Sequence, residues 1–273
     1  MSDLLAFVVQ FLPNCYKPPM EINVMKLVSM GDALSLVREG DEITVSGMSI
    51  HRNPMSFIHG LVKSEVRDLR FVDREPGVAL EVLLREGIVT KVRAAMASME
   101  WFGIPRYFRM KVEAGEVEFL EDSCGAFIAG LRAGASGVNF SVMRGIIGSD
   151  LVRIHDREGT WKVIKDPFTG EEELAVKAIA PDIAVIHVHY ADPNGNAEIL
   201  GPIYEDDLKA RAANRVIITA ERIVHPDYFK GKRPTISAEH VTAVVESPGG
   251  ASPTSMFGLY DTDYEALADL EYG

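Results

Sequence analysis

The sequence predicts an α/β fold, a sheet carrying helices on its faces. Three observations point there. Segments with strand character alternate with segments of helical periodicity along most of the chain. The 273 residues are 47% hydrophobic, enough for one large α/β domain or two small ones sharing a core. Residues 183–189 and 215–219 are β-branched apolar runs of the kind that form buried strands.

Residues 1–25 read as an N-terminal extension, and residues 26–273 as a single domain. The apolar run at 4–12 is too short to span a bilayer and lacks the basic flank of a signal peptide. Pro13, Pro18 and Pro19 then break any regular element, and Met20 or Met25 could be alternative starts. Ser29, with Asp32 three positions on, opens a short helix over 31–38. A strand at 42–45 runs into a glycine-bearing loop. Asn53 is placed to cap the next helix and Pro54 to take its first position, with Met55, Phe57, Ile58, Leu61 and Val62 as the apolar face. Strands are expected at 69–72, 88–96 and 117–120, and helices at 78–84, 105–112 and 127–135. Gly87 and Gly115 stop the first two helices.

Residues 145–172 are polar and loop-rich, with one short strand at 161–164; they fit a surface hairpin, a lid or a subunit contact. The strand at 183–189 leads into the dense turn signal at 192–196. A helix at 204–213, strands at 215–219 and 241–245, a small-residue loop at 247–255 and an acidic helix at 263–270 complete the chain.

The formal charge of −12 argues against a general nucleic-acid binder. No stretch is long and apolar enough for a membrane span. Cys15 and Cys124 make neither CxxC nor metal-ligand spacing, which suits a reducing cytoplasm. There is no G-x-S-x-G elbow, phosphate-binding P-loop or G-x-G-x-x-G fingerprint.

Four places could carry chemistry. The loop with Gly47, Ser49, His51, Arg52 and Asn53, facing a helix N-terminus, suits an anion or acyl oxygen; an ordinary βα turn with a solvated arginine is the plainer reading. Glu100, at a strand's end beside Trp101, is placed to act as acid, base or nucleophile, or simply to cap the loop. His187 and His189 share one face of a strand and, with Asp192, could form a metal half-site, or be hydrogen-bonded histidines at a strand end. Glu121, Asp122, Ser123 and Cys124 precede a helix, where capping is the simpler role.

Several separated segments together resemble a known family. Gly47 to Pro54, as G-x-x-x-x-R-x-P, resembles the first loop of the A (alpha) subunits of family I coenzyme A transferases, the glutaconate CoA-transferase type in particular. Met99-Glu100-Trp101-Phe102-Gly103, Arg106-Tyr107-Phe108-Arg109, Glu121 to Ser123, Gly148-Ser149-Asp150, His189 to Ala197, Ala220 to Val224 and Pro248 to Ser255 follow in the family's order. The resemblance covers residues 27–260.

The resemblance implies an open, mostly parallel sheet flanked by helices, a fold shared with some sugar-phosphate isomerases. It implies a heterodimer or heterotetramer in which a homologous B subunit carries a catalytic glutamate and shares the cleft. It implies transfer of CoA from an acyl-CoA to a small mono- or dicarboxylic acid, with the CoA thioester as substrate, and no cofactor, metal, nucleic acid or membrane. Gly47, Ser49, His51, Arg52 and Asn53 would line the cleft, with Arg52 and backbone N–H groups on the acyl carboxylate. His189, Asp192 and Asn196 would hold a turn. One departure stands out: Ser252 sits where the family often has histidine. The same fold also hosts a hydrolase that opens a steroid-derived ring. The alternatives are therefore a subunit of such a hydrolase and a non-catalytic acyl-CoA binder.

Overall fold

The computed structural model describes residues 25–272, so the N-terminal extension lies outside the described residues, as does Cys15. In chain order the elements are α1 (Met30–Leu34), β1 (Glu42–Val45), α2 (Met55–Val62), β2 (Leu69–Val72), α3 (Val78–Arg85), β3 (Val89–Ala94), α4 (Arg106–Glu113), β4 (Glu118–Glu121) and α5 (Cys124–Ala135). They continue with β5 (Phe140–Met143), α6 (Asp150–Arg157), β6 (Trp161–Lys165), β7 (Glu172–Lys177), β8 (Ile183–Ala191), β9 (Ala197–Glu198), α7 (Asp206–Ala212), β10 (Arg215–Ile223), β11 (Ala243–Glu246) and α8 (Tyr264–Tyr272).

The main sheet runs β11–β10–β8–β1–β2–β3–β4, every pair parallel, with the short β9 antiparallel to β8. β8 shows why a continuous apolar run becomes a central strand. Its side chains alternate between two cores, Ile183 and Val185 in one and Ala184, Ile186 and Val188 in the other. α2 packs on the first core through Met55, Phe57, Ile58 and Leu61, all fully buried. Each such side chain contributes about 1.5–3 kcal/mol.

Most predicted elements stand where the periodicity put them, and two regions differ. Asn53 does not cap the helix it precedes. α2 starts after Pro54 without a side-chain cap, and the Asn53 Oδ1 accepts instead from Ala79 N (2.9 Å), in the first turn of α3. The stretch read as loop-rich, 145–172, holds α6, β6 and the start of β7. With β5 these strands make a separate antiparallel sheet, β5–β7–β6, seated on α5 through Trp161, Leu174 and Val176. α6 is charged along much of its length, and β5 is half exposed, so neither shows the apolar run that marks the main strands.

Candidate active site

From β1 the chain proceeds outward through β2, β3 and β4, and from β8 it proceeds the other way through β10 and β11. β1 and β8 are neighbours, so the strand order reverses between them. In open α/β sheets, ligands sit in the crevice beyond the carboxyl ends of the strands at such a reversal. The loops after β1, β3 and β11 and the ends of β8 and β10 meet on this edge.

The loop after β1 is held in one shape. Gly47 has φ +80°, and a Cβ there would lie 2.0 Å from the His51 carbonyl oxygen, so only glycine fits. Ser49 and Arg52 also have positive φ (both 52°), a strained conformation for residues with a side chain. The strain is offset by dense bonding: Ser46 Oγ donates to Arg52 O (2.8 Å), Ser49 Oγ to Ser98 O (2.8 Å) and Asn53 Nδ2 to His51 O (3.0 Å).

Arg52 points inward and is 3% exposed. Its guanidinium contacts the Asp206 carboxylate (2.5 Å) and donates to His187 O (3.1 Å) and Pro202 O (3.0 Å). Behind it Lys209, also buried, donates to Val45 O (2.7 Å) and to both Asp73 oxygens (2.9 Å each). Two expectations for this loop meet the following geometry. The Arg52 guanidinium is committed to a buried ion network and is not presented to the cleft. Most of the loop's N–H groups are engaged as well. Met48 donates to His51 O, Ser49 to Glu75 O, Arg52 to Ser255 O and Asn53 to Thr254 Oγ1, while Ser56, at the start of α2, donates to Gly250 O.

His51 points the other way. Its Nδ1 meets Ser255 Oγ at 2.6 Å and its Nε2 meets Glu100 Oε1 at 2.8 Å. The two side chains are 34% and 40% exposed, so solvent or a ligand reaches them. This Ser255–His51–Glu100 chain joins three loops that are distant in sequence. A histidine between a carboxylate and a hydroxyl can hold or move a proton. Glu100, Trp101, Phe102 and Tyr264 line a cleft of about 540 Å³ beside it, and Glu100 itself has φ +50°.

A second, buried network carries the last loop. His187 Nδ1 meets Thr219 Oγ1 and Nε2 meets Glu221 Oε1, both at 2.9 Å. Burial pushes the His187 pKa down, against the upward pull of Glu221. Nε2, which faces a carboxylate, is the nitrogen that donates, and Nδ1 meets the Thr219 hydroxyl. Glu221 Oε1 also accepts from the Tyr260 hydroxyl (2.5 Å), and Oε2 accepts from Gly249 N (2.8 Å). Burial by itself would raise the Glu221 pKa, but these hydrogen bonds outweigh it and hold the carboxyl below its ordinary value. Burial and Glu221 together push the Tyr260 phenol up. Gly250 packs on the His187 ring, where a Cβ would come within 2.7 Å of Cε1. The network thereby fixes the loop that brings Ser255 to His51.

His189 does not pair with His187 as a metal half-site. Its Nε2 donates to Phe257 O (2.8 Å) and its Nδ1 accepts from Leu200 N (3.0 Å). Asp192 Oδ1 accepts from the backbone of Asn194, Gly195 and Asn196, and Oδ2 from the Asn196 side chain, closing the turn. Asp122 pairs with Arg93 (2.7 Å), and Ser123 caps α5 by accepting from Ala126 N (3.1 Å). Ser252 is exposed on the same loop as Ser255.

Of the sequence-predicted residues, the structure brings together His51 and Glu100 at the surface of the edge and places Gly47, Ser49, Arg52 and Asn53 beneath it. Sequence reasoning missed Ser255, Asp206 and Glu221 as partners. Ser255 and Glu221 lie inside motifs already singled out, and Asp206 and Lys209 share a helix face at i, i+3.

A family model described as Coenzyme A transferase matches residues 27–246. The chain is 30% identical over 242 residues to the A subunit of 3-oxoadipate CoA-transferase from Pseudomonas knackmussii, covering 87% of this chain and 84% of that one. It is also 30% identical to the cholesterol ring-cleaving hydrolase IpdA subunit of Rhodococcus jostii, covering 87% and 83%. An uncharacterised Archaeoglobus fulgidus protein is 34% identical over 89% of this chain, which spans only 55% of its length. Among solved structures, glutaconate coenzyme A-transferase from Acidaminococcus fermentans superposes with a TM-score of 0.83 at 27% identity, covering 89% of this chain and 82% of that chain. Family match, relatives and superposition agree: the chain belongs to the coenzyme A transferase family.

Proposed function

We propose that this chain is the A-type member of a two-chain enzyme that moves CoA from an acyl-CoA to a carboxylic acid, in a cleft completed by a homologous B subunit. The observation that carries the proposal is the family match over residues 27–246 combined with an edge that presents His51 and Glu100 to solvent. On this reading the nucleophile is a glutamate of the B subunit. Its carboxylate oxygen attacks the thioester carbonyl, the C–S bond breaks and CoA leaves as a thiolate, giving an acyl–glutamyl anhydride. The thiolate then attacks the glutamyl carbonyl and releases the acid, leaving a glutamyl-CoA thioester. An acceptor carboxylate reverses the sequence. In this chain His51, held between Ser255 and Glu100, fixes the Glu100 carboxylate at the edge of the cleft.

The test is to purify the chain with its partner, add acyl-CoA without acceptor, and locate the CoA adduct by mass spectrometry. An adduct on the partner, retained in Glu100→Gln, supports the reading. An adduct on Glu100 itself reverses the assignment of the nucleophile.

A second reading has one observation in its favour. The Ser255–His51–Glu100 chain provides a proton-transfer pair within this polypeptide, as a same-fold hydrolase would use. It predicts hydrolysed or ring-opened product without acceptor acid, abolished by Glu100→Gln.

A further inference from the structure

Trp101 is 89% exposed, the largest apolar side chain offered to solvent among the described residues of the active edge. It follows Glu100 directly, in a closed turn. Met99 N donates to Gly103 O (2.7 Å), Phe102 N to Met99 O (3.0 Å) and Gly103 N to Glu100 O (2.9 Å). The indole therefore projects from a fixed loop. Phe102 and Tyr264 stand beside it with ring centroids 6.3 Å apart, and the three aromatics with Glu100 line the 540 Å³ cleft. Of the four residues this chain contributes to the cleft none is cationic, and Arg52 of the loop motif is closed into its pair with Asp206. The adjoining His51 already faces Glu100. A second carboxylate in this cleft would meet aromatic faces and the Glu100 oxygens.

Resting on the CoA-thioester reading above, we propose that the cleft takes the acyl group, and that this group is a bulky, ring-bearing or branched hydrocarbon without a second carboxylate. The reacting carbonyl sits at the His51–Glu100 end and the apolar body lies over Trp101, Phe102 and Tyr264. The continuity of the cleft with Glu100 favours a substrate over a partner surface as the occupant.

The experiment uses non-reactive thioethers in which a methylene replaces the thioester carbonyl: S-(2-cyclohexylethyl)-CoA, S-(4-carboxybutyl)-CoA and CoA itself. Binding to the purified two-subunit complex is measured by calorimetry. Emission is followed in parallel, since this chain has two tryptophans and Trp161 is buried. The cyclohexyl compound is expected to bind about tenfold tighter than the carboxybutyl one, in line with the apolar area it buries. It should shift Trp101 emission to the blue. Trp101→Ala should erase the preference, Trp101→Phe should restore most of it, and both should leave CoA affinity alone. Equal or tighter binding of the carboxybutyl compound overturns the inference while leaving the family reading in place. So does a Trp101→Ala protein that keeps the preference but loses its partner chain, which would make the aromatic patch an interface. Failure of all three probes, CoA included, removes the CoA-thioester reading itself and the inference with it.

Discussion

His51 and Arg52 are neighbours in one loop and have opposite surroundings. His51 lies at the surface between Ser255 and Glu100, in reach of a ligand. Arg52 lies inside, closed against Asp206 and two backbone carbonyls, with Lys209 and Asp73 behind it. An exposed charged pair is weak because water screens it, while a buried one is costly to break because the survivor is left charged and dry. The motif arginine is thus a foundation for the loop, and the histidine before it is the group that chemistry can use.

The largest effect is expected from Asp206→Ala, which leaves the Arg52 guanidinium buried without its carboxylate. Unfolding in urea should show a loss of about 3–5 kcal/mol; a loss within about 1 kcal/mol would mean that Arg52 escapes to solvent. Arg52→Ala sharpens the contrast in activity. Mono- and dicarboxylic substrates should lose rate alike, because the loop is undone for both. A selective loss for dicarboxylates would restore the direct grip that the geometry denies.

Gly47→Ala should cost roughly 1–3 kcal/mol, since the methyl meets the His51 carbonyl at a positive φ. It should disturb activity more than its stability loss alone explains, which chemical denaturation and kinetics on the same preparation would separate. A smaller, pH-dependent effect belongs to Glu221. Its carboxyl is held below the ordinary value, so its contribution is complete above that value and drains away as pH falls through the lowered one. Thermal melts of the wild type should therefore fall more steeply than those of Glu221→Gln between about pH 5 and pH 3. Parallel curves would remove Glu221 from the acid response. The smallest stability change is expected for Glu100→Gln, under about 1 kcal/mol, because the pair it breaks is half open to water.

The main sheet was legible because its strands are buried on both faces and read as apolar runs, as β8 and β10 do. The small β5–β7–β6 sheet was not. Phe140 and Val142 face outward on a four-residue strand, and only contact with α5 makes that strand worth forming. Which loops meet on the active edge follows from the strand order, which only the structure gives. Which side chain of a loop turns inward was not legible either, because Arg52 is claimed by Asp206, far along the chain, and His51 by Ser255, farther still. A helix cap was misplaced for the same reason: Asn53 reached across to α3 because Ala79 N needed an acceptor.

The reversal of strand order has a consequence for how the protein comes into being. β1 pairs on one side with β2, close by in sequence, and on the other with β8, with Ile43 opposite Ile183. On the ribosome, the first half of the sheet can assemble early and must then wait, one flank of β1 bare, until β8 has been synthesised. Long-range parallel pairing of this sort is slow to close and exposes a template for wrong partners meanwhile. The active edge, which straddles this late seam, is therefore completed only when nearly the whole chain has emerged.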